Sequence, residues 1–377
     1  MNRRLVLAAA LSMVGAIGAG TLASMSARSG TSMEPAVFRE QVVACLGEDA
    51  RPGIIEESSA QCARQVLLDF AENRSAPEVH TAIEELYRTH QPFASLCHTI
   101  THDAGALFAR RHLETPGPLA DVASEICVTG ILHGYLETIG FSRPDDATVD
   151  RLIRECSNLR RELRIGCADG VGHLLYIRDP DISRSAAKCV TFPQVNERIQ
   201  CSYGVVMFAG QLLPGAYPER PDLRQLPLDA LPAICEEWPV EGAVGQYGCG
   251  MGLANLLVFP SGAQRSVAEL DAGGHRLGDG SPQAAKVEAV LQGIFAACME
   301  LRSVPARLGC LNDSTRNMSR THEYEFAAYS YACELLPEGY ELACPGEFYS
   351  LGPMHDAGVH IQVEEALKAK AANQPNG

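Results

Sequence analysis

Closely spaced thiols, excess positive charge and aromatic side chains are what this sequence has least of. No two of its 14 cysteines lie closer than 11 residues apart. That excludes Cys-x-x-Cys zinc knuckles, thioredoxin-type redox pairs and c-type haem attachment, each of which needs two thiols about a helical turn apart. Lys and Arg total 31 against 46 Asp and Glu, a formal charge of −15, so the attraction to phosphate that a DNA or RNA partner requires is missing. Aromatics are 6% of the chain, with Trp238 the single tryptophan, which disfavours stacking platforms for bases or sugars. Gly-x-Ser-x-Gly, Gly-x-x-x-x-Gly-Lys and His-Glu-x-x-His are all absent. Gly248-Cys249-Gly250-Met251-Gly252 is glycine-rich, but no strand pattern precedes it, as a dinucleotide site would require.

What is present is globular: 46% hydrophobic and 20% charged over 377 residues, enough for two ordinary domains or one repeat array. Period-two alternation is nowhere sustained, whereas apolar residues recur at spacings of three and four in Ile83–Tyr87, Ile126–Ile139 and Val287–Phe295. An all-α fold is the expectation. Five prolines in 212–232 and the Gly-rich stretch Pro260–Pro282 read as surface loops.

The chain starts as an export signal does. Arg3 and Arg4 precede an apolar run from Leu5 to about Met25, with small residues at Thr21 and Ala23. Residues 1–25 are therefore read as a cleaved signal peptide or an uncleaved membrane anchor, the only part of the chain expected to meet a membrane. Residues 26–36 follow as a linker, 37–361 as a cysteine-rich helical domain and 362–377 as a polar tail.

The cysteines agree with export. Taken in order they fall into neighbours: Cys45 and Cys62, Cys97 and Cys127, Cys156 and Cys167, Cys189 and Cys201, Cys235 and Cys249, Cys298 and Cys310, Cys333 and Cys344. The last five pairs span 11 to 14 residues, a length that carries a chain up one helix end, around a turn and back. Two Cα atoms can thereby come within the ~4.4 to 6.8 Å a disulfide requires. Such staples persist in an oxidising compartment, so the periplasm, cell surface or exterior is expected.

A repeat underlies the spacing. Cys127-x-x-Gly130-x-x-His133, Cys167-x-x-Gly170-x-x-His173, Cys201-x-x-Gly204-x-x-Met207 and Cys249-x-x-Gly252-x-x-Asn255 recur at intervals of 40, 34 and 48 residues, the length of two-helix units. On a helix, Cys and Gly at i and i+3 share a face, and the glycine is read as allowing close approach of the stapled partner helix. With the steps Gly166-Cys167, Gly248-Cys249 and Gly309-Cys310, residues 120–345 resemble bacterial cysteine-rich tetratricopeptide-like repeat proteins. The resemblance implies a solenoid-like array of disulfide-stapled helical hairpins offering an interaction surface to a protein or small-ligand partner. It carries over no catalytic residues.

Histidine placement is the one chemical signal. His98 and His102 stand at i and i+4, as do His133 and Glu137, and His133 and His173 fill the same slot of successive repeats. Imidazoles and a carboxylate on adjoining helices are how helical proteins build metal sites. The candidate ligands are His98, His102, His133, Glu137 and His173. Zinc suits neutral imidazole plus carboxylate, and copper and iron also fit. A binding or scaffold protein bearing this metal site is the first expectation. A metal carrier, or a hydrolase or oxidase with Glu137 as ligand or general base, is the alternative. Histidines merely packed and hydrogen-bonded between hairpins are the bland reading.

Overall fold

The computed structural model describes residues 33–47, 55–111, 117–211, 222–223, 229–239, 242–261, 266–267, 269–270, 273–319, 331–340 and 343–344. Residues 1–25, the tail 362–377 and most of 26–36 and 212–232 lie outside these. The described residues are helical, with no strand among them, and none of their helices is long and apolar enough to cross a membrane. In order they are α1 (Pro35–Leu46), α2 (Glu57–Ala71), α3 (Ala76–Thr89), α4 (Gln91–Arg111), α5 (Gly130–Phe141), α6 (Asp146–Asn158), α7 (Arg161–Arg178), α8 (Ile182–Cys189), α9 (Val195–Gln211), α10 (Leu231–Glu236), α11 (Ala243–Ser261), α12 (Pro282–Met299) and α13 (Val304–Ser319).

Local chemistry sets several boundaries. Ser75 and Glu78 form a capping box at α3, Asp145 caps α6 through the Thr148 amide at 2.8 Å, and Ser281 caps α12. Pro35 opens α1, because a first-turn residue needs no amide hydrogen and proline's φ is already helical. That helix begins inside the span read as linker.

Two kinds of helix follow from two patterns. α6 buries Val149, Leu152, Ile153 and Cys156, one stripe at i, i+3, i+4 and i+7. Withdrawing its three aliphatic side chains from water contributes at most roughly 5 to 9 kcal/mol against the unfolded chain. α7 and α9 instead bury residues all round, Cys167 through Ile177 without a break save Asp169 in the first and Ile199 through Gly210 in the second. Such helices belong inside. The packing obeys this: α4 lies against α5, α5 against α7, α7 against α9, α9 against α11 and α11 against α13.

Disulfides tie flanking helices to that row. Cys156–Cys167 joins α6 to α7, Cys189–Cys201 α8 to α9, Cys235–Cys249 α10 to α11 and Cys298–Cys310 α12 to α13. Cys45–Cys62, Cys97–Cys127 and Cys333–Cys344 complete the neighbour pairing, and no cysteine is free. Seven disulfides fit a location outside the cytoplasm.

The repeated glycines do something other than expected. A Cβ on Gly204 would meet the Asp169 backbone oxygen of α7 at 2.2 Å, and one on Gly252 would meet Tyr203 and Val206 of α9. They serve contact between successive inner helices, not with the stapled partner, because the cysteine face and the inter-row face are adjacent on a helix whose every side is buried. The helical spacing read over Ile126–Ile139 is also interrupted. Ile126–Thr129 is a 3-10 turn in which Cys127 and Thr129 have φ of +58° and +61°, and α5 begins only at Gly130. Cys127 and Gly130 therefore do not share an α-helical face, unlike the later copies.

Candidate metal centre

The close approach of α4 and α5 builds the site. A Cβ on Gly134 would stand 1.9 Å from the His102 carbonyl oxygen, and one on Gly105 would stand 1.9 Å from that of Ile131. Only glycine on both sides permits backbone contact of this kind. It brings His98 and His102 of α4 against His133 of α5. One nitrogen from each of the three rings lies within 4.8 Å of the others, and the ring centroids are 4.8 to 5.6 Å apart, all edge-on.

The outer hydrogen bonds fix which nitrogen of each ring looks inward. His98 Nδ1 is 3.1 Å from the Cys127 carbonyl oxygen, and His133 Nε2 is 2.8 Å from that of Gly166. A carbonyl only accepts, so both nitrogens are N–H donors and the lone pairs fall on His98 Nε2 and His133 Nδ1. His102 Nδ1 lies 3.3 Å from Glu137 Oε2. As donor to that carboxylate it places the lone pair of the neutral ring on Nε2. His98 Nε2 and His102 Nε2 are 3.2 Å apart, and two facing lone pairs at that distance call for a cation between them, proton or metal. His133 Nδ1 is buried without a hydrogen-bond partner, on a residue only 2% exposed. A buried, unsatisfied acceptor costs roughly 1 to 3 kcal/mol.

The distances suit a metal ion. Zinc–imidazole bonds of ~2.0 to 2.1 Å place tetrahedral nitrogens about 3.4 Å apart, close to the 3.2 Å between the two Nε2 atoms. The widest separation in the trio, at most 4.8 Å, would have to close by up to roughly 1.4 Å, which side-chain torsion can supply. Each ring already donates its far nitrogen to a carbonyl or carboxylate, the outer arrangement that orients metal-bound histidines.

Glu137 and His173 complete the cluster from outside the trio. Glu137 spends one oxygen on His102 and the other on His173 Nδ1, at 2.7 Å. The structure thus brings all five expected residues together: three rings face one another, and Glu137 buttresses His102 and His173. Asp169, one helical turn before His173 on α7, was not singled out from the sequence. Its carboxylate lies 3.5 Å from His173 Nε2 and 3.7 Å from His133 Nε2. The i, i+4 spacing of Asp169 and His173 was the signal available for it.

Electrostatics sort these groups. Burial, reinforced by the three neighbouring imidazoles, holds His133 well below the usual histidine range, so it is neutral and able to ligate at pH 7. Burial alone would raise the Glu137 carboxyl. The charges and hydrogen bonds of His102 and His173 outweigh it and hold Glu137 ionised, well below the ordinary range. Burial likewise works to lower His173, but the Glu137 hydrogen bond and the Asp169 charge leave it raised.

Further along the row the same slot carries no imidazole. Asn255 donates to the Tyr203 hydroxyl at 2.7 Å and accepts from Gln211, a satisfied polar pairing. No family model, curated protein or solved structure matches the chain.

Proposed function

We propose that the chain is an extracytoplasmic, solenoid-like array of stapled helical hairpins that holds one divalent transition-metal ion on His98, His102 and His133 and presents its surface to a protein or small-ligand partner. The observation that carries the metal reading is His133 Nδ1, a buried lone pair with no partner, aimed away from a ring nitrogen already committed to the Gly166 carbonyl. Zinc suits three neutral imidazoles, and copper and iron fit as well. Every thiol is held in a disulfide, so cysteine thiolates play no part in holding the ion. The array reading is supported by the unbroken contact of α5, α7, α9, α11 and α13, each of the last four bearing its own stapled flanking helix.

A metal-dependent enzyme is the second reading. Three protein ligands leave a coordination position open, and the His102 side chain is 25% exposed, so the trio reaches the surface. Glu137 has both oxygens engaged by histidines, which supports an orienting role over that of ligand or general base. Zinc titration of protein freed of metal by a chelator tests the reading. One tight site per chain, lost in His133→Ala while the helical spectrum is kept, is the expected result. No uptake of zinc, copper or iron leaves a scaffold alone, and hydrolysis of ester or phosphoester probes dependent on the same site favours the enzyme.

A further inference from the structure

One disulfide touches the histidine trio. Cys97 immediately precedes His98 on α4, and its partner Cys127 sits in the 3-10 turn Ile126–Thr129, with Cα atoms 5.0 Å apart. Two groups that orient the trio come from this turn. The Cys127 carbonyl accepts from His98 Nδ1 at 3.1 Å, and the Thr129 hydroxyl lies 3.1 Å from His133 Nε2. The Thr129 side chain also fills the space against Gly166, whose carbonyl accepts from His133.

The turn does not hold itself. Cys127 and Thr129 both occupy the left-handed region, at φ +58° and +61°, which L-residues avoid and β-branched threonine avoids most. Residues persist there when surrounding structure over-determines them, and such torsions cluster at ligand sites. Here the covalent tie to α4 is the one link that survives local fluctuation of the hydrogen bonds around it.

We infer that the Cys97–Cys127 disulfide is the latch of the metal centre: the trio binds its divalent ion with the bond closed and loses affinity with the two thiols free. The inference rests on the metal reading proposed above and adds its regulation. The bond forms by exchange with an oxidising disulfide. The two cysteines give up two protons and two electrons, the oxidant leaves as a dithiol, and the carbonyl of Cys127 comes to rest on His98. A chain still in a reducing compartment therefore holds its ion more weakly at this site, and tight metal loading follows export.

Binding linkage makes this measurable on the wild-type protein. Cys97 and Cys127 are 0% and 1% exposed, so a reductant reaches them only when the turn opens. Zinc at 100 times its dissociation constant lowers the open population by about 100-fold. The probe is a water-soluble phosphine, which becomes its oxide by taking oxygen from water while the two sulfurs take the two protons. Cysteines are then alkylated and mapped by mass. The expected result is that zinc slows reduction of Cys97–Cys127 at least tenfold and leaves Cys298–Cys310, between α12 and α13, unchanged.

In a second arm, Cys97→Ser/Cys127→Ser binds zinc at least tenfold more weakly than wild type, the scale of losing an outer orienting contact, while Cys298→Ser/Cys310→Ser binds as wild type does. Equal reduction rates with and without zinc, in a wild-type protein that binds zinc, overturn the latch and leave the metal site. Unchanged zinc affinity in the folded Cys97→Ser/Cys127→Ser protein does the same. A wild type that binds no zinc removes the metal reading and the latch with it. If that serine variant fails to fold, the reduction rates decide.

Discussion

Gly134→Ala measures how much of the site depends on backbone contact between α4 and α5. The added methyl would stand 1.9 Å from the His102 carbonyl oxygen, where ordinary contact begins near 3.4 Å. Backbone must therefore yield by roughly 1.5 Å, since no rotamer relieves a clash between a Cβ and a carbonyl. Overpacking of this kind costs about 1 to 3 kcal/mol or more, and alanine's better helix propensity returns about 1. A clash with backbone on this scale belongs at the upper end of that range, so the net loss is about 2 kcal/mol, or a midpoint of thermal unfolding roughly 4 °C lower. Gly293→Ala is the matched control: it lies inside α12, and nothing stands within 4 Å of its Cβ. That change keeps only the propensity gain, so the midpoint rises by a degree or two. Differential scanning calorimetry of the three proteins, with metal removed, reads both signs. A midpoint for Gly134→Ala equal to or above wild type, or the two variants moving together, refutes the close-packing argument. Since the clash displaces His102, zinc affinity also falls in Gly134→Ala and is unchanged in Gly293→Ala.

Further outcomes follow from the same contacts. Burial lowers His80 from 6.5 to about 4; protonation therefore favours the unfolded chain, and neutral His80 adds up to about 3 kcal/mol that is full above pH ~6.5 and lost as pH falls toward 4. His80→Gln, compared with wild type by urea unfolding in a chelator, should close that gap as the pH drops, and an unchanged difference between pH 7 and 4.5 contradicts it. Cys156→Ser/Cys167→Ser removes a staple closing an 11-residue separation and should cost about 2 to 4 kcal/mol, read from the denaturation midpoint; a cost near zero would show α6 held by packing alone. Glu137→Gln keeps the shape but weakens the acceptor for His102 and His173, so zinc affinity should drop roughly 10- to 100-fold with one ion still bound at saturation. Complete loss of binding would make Glu137 a ligand.

Much of this was legible because disulfides and helices are local. Neighbouring cysteines 11 to 14 residues apart leave few geometries other than a stapled hairpin, and all seven neighbour pairs are bonded. The slot shared by His133 and His173 likewise placed their rings 5.3 Å apart. What escaped depends on which face of a fully buried helix meets which neighbour, and helical period says nothing of that when every face is apolar. Gly204 therefore looked like a partner for α8 and turned out to contact α7. Asp169 was hidden for the same reason, as one carboxylate in a run of small residues. The left-handed Thr129 gave no warning at all, because threonine rarely adopts that backbone and tertiary contacts impose it.

The central claim is that three imidazole nitrogens converge on one ion. X-ray absorption at the zinc edge of protein loaded with one equivalent tests it most directly. The account predicts three imidazole nitrogens at about 2.0 to 2.1 Å with one further light atom and no sulfur, falling to two imidazoles or to no bound zinc in His133→Ala. A sulfur shell near 2.3 Å, a shell of carboxylate oxygens alone, or a wild-type spectrum unchanged by His133→Ala would contradict it.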